Sequence, residues 1–109
     1  MTMMQVSALE LAAWLADPQR PAPQLLDVRE PWEVAMCALP GSVAIPMGQV
    51  PGRAAELDPD RPVVCYCHHG VRSLQVGYFL ERRGFDTVIN LSGGIDAWAR
   101  EVDRSCATY

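Results

Sequence analysis

The sequence predicts an α/β domain in which a parallel sheet carries helices on both faces. Three observations lead there. Short apolar runs of strand length alternate with stretches patterned as helices, joined by short loops, the order that builds strand–helix–strand units. The run Pro62–Tyr66 (PVVCY) is apolar throughout, as expected of a central strand covered on both faces. The 109 residues, 50% hydrophobic and 20% charged, suit one compact domain over 1–109 and argue against disorder.

The elements follow in order. Ser7-Ala8-Leu9-Glu10 has the form of a capping box and opens a helix to about Ala16. Gln24–Val28 (QLLDV) is a short apolar strand. Glu30–Ala38 reads as a short helix with Pro31 in its first turn. Ser42–Pro46 (SVAIP) is a strand and Val50–Leu57 a weak helix. Pro62–Tyr66 is the central strand. Ser73–Arg83 is a helix with a broad apolar face of Leu74, Val76, Tyr78, Phe79 and Leu80, ended by Gly84. Thr87–Leu91 (TVINL) is the last strand, and Gly94–Val102 closes the chain as a helix. No repeat, low-complexity tract or interdomain linker interrupts this order.

A net charge of −4 gives no electrostatic reason to expect nucleic acid or an anionic membrane as partner. An anionic substrate would need a local positive field. The segment Met1–Asp17 has no Lys or Arg ahead of its apolar residues and carries Glu10 and Asp17, unlike a signal peptide. No apolar run is long enough for a membrane span, so a cytoplasmic location is the default expectation. The spacing of Cys37, Cys65, Cys67 and Cys106 matches neither a disulfide framework nor paired zinc knuckles. Free thiols are the expectation in a reducing compartment.

In open parallel sheets, sites form beyond the C-terminal ends of the strands, near a topological switch point. The informative stretch there is Cys67-His68-His69-Gly70-Val71-Arg72-Ser73. A thiol between a buried strand and a helix N-terminus meets free N–H groups and the favourable end of the dipole. Arg72 adds a positive charge, and both effects favour the thiolate. Gly70 permits a tight curl, and successive amides of such a curl form an anion nest.

This loop resembles the C-x-x-G-x-R-S/T active-site loop of single-domain rhodaneses. The resemblance runs along nearly the whole chain. Leu25-Leu26-Asp27-Val28-Arg29-Glu30 is similar to the family's D-V-R-E strand end. Leu39-Pro40-Gly41-Ser42 with Ile45-Pro46 resembles its I-P-G-A…I-P segment, and Leu91-Ser92-Gly93-Gly94-Ile95-Asp96-Ala97-Trp98 its L-x-G-G-x-x-A-W ending. Where many members have G-H-I before Pro-Gly, this chain has Cys37-Ala38-Leu39.

The resemblance implies a rhodanese-like parallel sheet of about five strands with helices on both faces. It also implies a sulfurtransferase in which Cys67 takes sulfane sulfur from a donor such as thiosulfate. The persulfide then passes its sulfur to cyanide, a thiol or a protein acceptor, without a cofactor. Cys67 is the catalytic candidate, and His68, His69, Gly70, Val71, Arg72 and Ser73 are the substrate-binding candidates.

Other readings stand beside these. Cys67 as a sulfur carrier or regulatory module for a protein partner is the non-enzyme alternative. A phosphatase is the rival enzyme, but four residues separate Cys67 from Arg72, against five in Cys–Arg phosphatases, and the smaller ring suits a single sulfur atom. Arg72 either binds the anion or braces the loop. Asp27 and Arg29 either form a structural ion pair or support the pocket. Adjacent histidines should point in different directions, so His68 and His69 are expected to border the pocket and add charge below neutral pH rather than ligate a metal. Cys65 is expected to be core, with resolution of a Cys67 persulfide as the sharper role. Cys106 is expected to lie on a loose C-terminal segment.

Overall fold

The computed structural model describes residues 3–109. Five parallel strands, β1 (Met4–Val6), β2 (Gln24–Asp27), β3 (Val43–Ala44), β4 (Val63–Tyr66) and β5 (Val88–Leu91), form one sheet in the order β1-β5-β4-β2-β3. The helices are α1 (Ala8–Ala16), α2 (Pro31–Met36), α3 (Val50–Arg53), α4 (Val71–Arg82) and α5 (Gly94–Glu101).

Every residue of β4 and β5 is buried, and side-chain alternation divides the core into two layers. Leu26, Val63 and Cys65 pack with Val50, Val76 and Leu80 of α3 and α4. Leu25, Val64 and Tyr66 pack on the other face with Leu11 and Trp14 of α1 and Ile95 and Trp98 of α5. The chain leaves β2 for the β3 edge, returns to β4 and continues to β5. The switch point therefore lies between β2 and β4, where the loops after Asp27 and Tyr66 separate.

The Ser7 capping box forms, with Glu10 N–H donating to the Ser7 hydroxyl at 3.0 Å and Ser7 N–H to the Glu10 carboxylate at 2.8 Å. Some elements differ from expectation. The strand expected over Ser42–Pro46 narrows to Val43–Ala44, and Val50–Leu57 divides into the α3 turn and a 3-10 turn, Ala54–Glu56. Helix α4 begins at Val71, two residues early, because Gly70 at φ 104° makes the turn. Strand β1 was not expected at all; it is three residues long, exposed at its first two, and owes its form to pairing with β5.

The cysteine expectation is corrected. Cys65 and Cys67 are free and buried, but Cys37 and Cys106 form a disulfide across a sequence separation of 69. Cys106 is 5% exposed, not part of a loose segment. After α5 the chain folds back so that residue 106 meets the C-terminal cap of α2. Such long-range closure cannot be read from spacing. Among the described residues no helix is long and apolar enough to cross a membrane.

Candidate active site

Cys67 follows β4 directly and is 1% exposed. The loop that carries it is fixed by its carbonyls. Cys67 O accepts from Ile95 N–H at 2.9 Å and His68 O from Asp96 N–H at 3.0 Å, so the first turn of α5 holds the outer side of the loop. This close approach requires Gly94, at φ 59°, because a Cβ there would lie 2.3 Å from His68 O and 2.5 Å from Cys67 O. With those carbonyls turned toward α5, Gly70 N–H points inward and donates to Cys67 Sγ at 3.1 Å. The N-terminus of the 12-residue α4 stands behind it.

Burial pushes the Cys67 thiol up. Hydrogen bonds from the Ser73 side chain and from the N–H groups of Ser73, Gly70 and His69 outweigh it, and the thiol lies below its ordinary range. The Ser73 hydroxyl faces two acceptors in this geometry. It lies 3.4 Å from Sγ but 2.6 Å from Asn90 Oδ1, and it has one proton to give. Asn90 cannot turn its amide, because Nδ2 donates to Gly70 O at 3.1 Å and to Gln5 Oε1 at 3.0 Å. The proton therefore goes to Asn90, and the backbone amides carry the thiolate. Cys65, in contrast, is pushed up to about 12 by burial and by the Cys67 charge, so it stays a thiol in the core.

Arg72 is paired with an acid in this geometry. Its Nη1 and Nη2 donate to Glu33 Oε1 and Oε2 at 2.6 and 2.9 Å. Arg72 holds the Glu33 carboxyl down to about 2, against the burial that would raise it. The pair ties α4 to α2 and keeps a guanidinium beside the Cys67 loop. Asp27 and Arg29 form a fully buried ion pair at 2.7 Å. Arg29 also donates to Glu33 O at 3.2 Å and Cys37 O at 2.6 Å. These two residues organise the α2 segment and do not contact the sulfur. Val71 is 68% exposed on the first turn of α4.

The adjacent histidines do not diverge. Their rings lie 3.9 Å apart at 35°, and both turn toward Asp96, at 3.9 Å from His68 Nε2 and 3.8 Å from His69 Nε2. The curl of the loop overrides the divergence expected of an extended chain. Burial, and after it the neighbouring His69 charge, lower the His68 pKa and disfavour its charged form. His68, His69 and Asp96 are a group whose ligating atoms lie within 4.8 Å. Arg100 already neutralises that carboxylate at 3.0 Å.

A cavity of about 410 Å³ beside α2 is lined by Arg29, Val34, Pro46 and Arg53 among others, and by none of residues 67–73. It offers no nucleophile. Glu33, Asn90, Gly94, Asp96 and Tyr109 are site residues to which sequence reasoning gave no role. Only Gly94 and Asp96 lay in a quoted motif.

Comparison with known proteins agrees with this architecture. The family model described as the Rhodanese-like domain matches residues 7–101. A sulfurtransferase of Allochromatium vinosum is 45% identical over 76 residues, 70% of this chain and 71% of that protein. The chloroplastic rhodanese-like/PpiC domain-containing protein 12 of Arabidopsis thaliana is 40% identical over 90 residues, and the match spans 79% of this chain but 30% of that longer protein. The crystal structure of a rhodanese-like domain protein from Staphylococcus aureus superposes with a TM-score of 0.83 at 31% identity, over 92% of this chain and 95% of that one. With its fold and 95 of its residues matched, the chain belongs to the rhodanese-like domain family.

Proposed function

We propose that this protein is a sulfurtransferase that carries sulfur as a persulfide on Cys67. One observation supports the reading above the rest. Among the described residues, the backbone amides of a short curled loop gather on the Cys67 sulfur, and the four residues between Cys67 and Arg72 make a small ring that suits one additional sulfur atom. Its likeness to a protein named a sulfurtransferase points the same way.

In the first half-reaction the Cys67 thiolate attacks the outer sulfur of a donor such as thiosulfate. A new S–S bond forms, the bond between the two donor sulfurs breaks, and sulfite leaves with that electron pair. The loop amides hold the terminal persulfide sulfur, and Arg72 places positive charge where the anionic donor arrives. In the second half-reaction a thiolate, cyanide or a protein acceptor attacks that sulfur, and Cys67 leaves as the thiolate. One difficult transfer becomes two easier ones.

The test is mass spectrometry of the protein after exposure to thiosulfate without an acceptor. Wild type should gain the mass of one sulfur atom on the Cys67 peptide, and Cys67→Ser should gain none. Labelling on Cys65, or equal labelling in Cys67→Ser, would refute the assignment.

A further inference from the structure

The segment after α5 is drawn back over the Cys67 loop. The disulfide fixes Cys106 to the end of α2, and three residues later Tyr109 lies against the site. Its ring stacks on His68 at 4.0 Å and 9° and meets the edge of Trp32 at 5.7 Å. Its hydroxyl accepts from Arg29 Nη1 at 3.0 Å and donates to Glu33 Oε2 at 2.7 Å. The same Oε2 accepts from Arg72 at 2.9 Å. Tyr109 thus touches one end of the loop through its ring and the other through Glu33.

Glu33 needs this support. Helix α2 has six residues, and Glu33 is its one buried member, so no apolar face seats it. Its carboxylate is aimed by Arg72, Tyr109 and the Glu30 N–H, the last at 3.0 Å from Oε1. Removing the phenol leaves Oε2 with Arg72 Nη2 as its one donor, so the carboxylate can swing about its Oε1 contacts to Arg72 and the Glu30 N–H and carry the guanidinium with it.

We propose that Tyr109 is a positioning residue that fixes Glu33 and, through it, Arg72 beside Cys67, and that the Cys37–Cys106 disulfide holds Tyr109 there. The positive end of the sulfur site is then set by the redox state of one bond. The switching step is a two-electron reduction by a dithiol. The dithiol supplies two electrons and two protons, the Cys37–Cys106 bond breaks to two thiols, and the dithiol closes to its own disulfide. The benefit of this relay rests on the sulfurtransferase reading; its geometry does not.

The experiment compares alkylation of Cys67 by iodoacetate, an anion, and by neutral iodoacetamide, with the Cys67 peptide quantified by mass spectrometry. The ratio of the two rates reads positive charge at the thiolate and requires no sulfur transfer. Tyr109→Phe keeps the ring and loses the hydroxyl, and should lower the ratio about three- to fivefold, the worth of one partly exposed charge contact. Arg72→Ala should lower it at least as much, and Tyr109→Phe added to Arg72→Ala should lower it no further. The double variant Cys37→Ala/Cys106→Ala should match Tyr109→Phe. Wild type reduced by a phosphine, then desalted, should match the double variant, and the phosphine should not change the double variant.

An unchanged ratio in Tyr109→Phe overturns the positioning role. The same loss in the Arg72→Ala background shows that Tyr109 does not act through Arg72. A drop in Tyr109→Phe without one in the disulfide-free forms, or unfolding of those forms, overturns the switch. Sulfite release on mixing with thiosulfate is a separate arm. Its absence in wild type with the ratio pattern intact refutes sulfur transfer alone, and its presence with flat ratios refutes the relay alone.

Discussion

Gly94→Ala should be among the most damaging single-methyl additions in this protein. The added Cβ would stand 2.3 Å from His68 O and 2.5 Å from Cys67 O. Ordinary contact lies about 1 Å farther out, so α5 and the loop must part. Parting them breaks the Ile95–Cys67 and Asp96–His68 bonds, worth about 0.5–1.5 kcal/mol each. The left-handed φ of 59° adds roughly 1–2 kcal/mol for any residue with a Cβ. The total is about 2–5 kcal/mol, a large part of the ~5–15 kcal/mol that holds a typical domain, and a fall in Tm of roughly 8–25 °C. Urea titration gives the free energy, and Gly48→Ala, where a Cβ would meet nothing within 4 Å, is the control. The pH profile of Cys67 alkylation should also move up in Gly94→Ala, because the released carbonyls no longer turn the loop amides inward. A loss below about 1 kcal/mol, with an unmoved profile, would refute the argument that α5 shapes the thiolate site.

Further expectations concern the groups around Cys67. Glu33 titrates at about 2 when folded, below its ordinary 4.5. Its pairing therefore stabilises the fold fully above pH 4.5 and is lost as pH falls toward 2. With Arg72 35% exposed, solvent screening reduces the effect to roughly 1–3 kcal/mol, and Glu33→Gln should flatten acid unfolding across that window. Ser73→Ala should shift the Cys67 alkylation profile by less than about half a pH unit, because Asn90 holds the hydroxyl proton, yet should cost about 1–3 kcal/mol in urea titration by leaving Asn90 Oδ1 unpaired. Loss of the Cys37–Cys106 bond, which closes a separation of 69 residues, should lower unfolding free energy by about 4 kcal/mol on chain-entropy grounds, read by comparing Cys37→Ala/Cys106→Ala with oxidised wild type. Aryl phosphate hydrolysis through Cys67 should be negligible beside sulfur loading from thiosulfate at matched concentration; the reverse order would return the protein to the phosphatase reading.

What could be read from the sequence was contiguous. Cys67, Gly70 and Ser73 sit within seven residues, and a buried strand followed by a glycine turn and a helix suffices to place them. The two-layer core was legible because apolar runs in β2, β4 and β5 are long enough to declare both faces. The parts that stayed hidden act across the fold. Glu33 lies in a short helix with no local sign of its role, and its side-chain partners Arg72 and Tyr109 stand 39 and 76 residues on. Asn90 sat inside an apolar strand with no local sign of its bonds to Ser73 and Gly70. Tyr109 and Cys106 lay in a polar stretch that reads as loose until tertiary contacts are known. Strand β1 failed to register because three residues, two of them exposed, carry no usable period.

The clasp of α5 on the Cys67 loop also orders events during synthesis. The ribosome delivers β4 and the nucleophile well before Gly94, Ile95 and Asp96, and strand β1, although made first, must wait for β5 to pair. A nascent chain that has passed Cys67 but lacks α5 holds its thiol in a loop whose carbonyls are still unclaimed. Such a chain lacks the α5 amides that hold those carbonyls outward. The shaped thiolate site is thus one of the last features of the domain to be completed, because the amides that claim the loop carbonyls belong to the final helix.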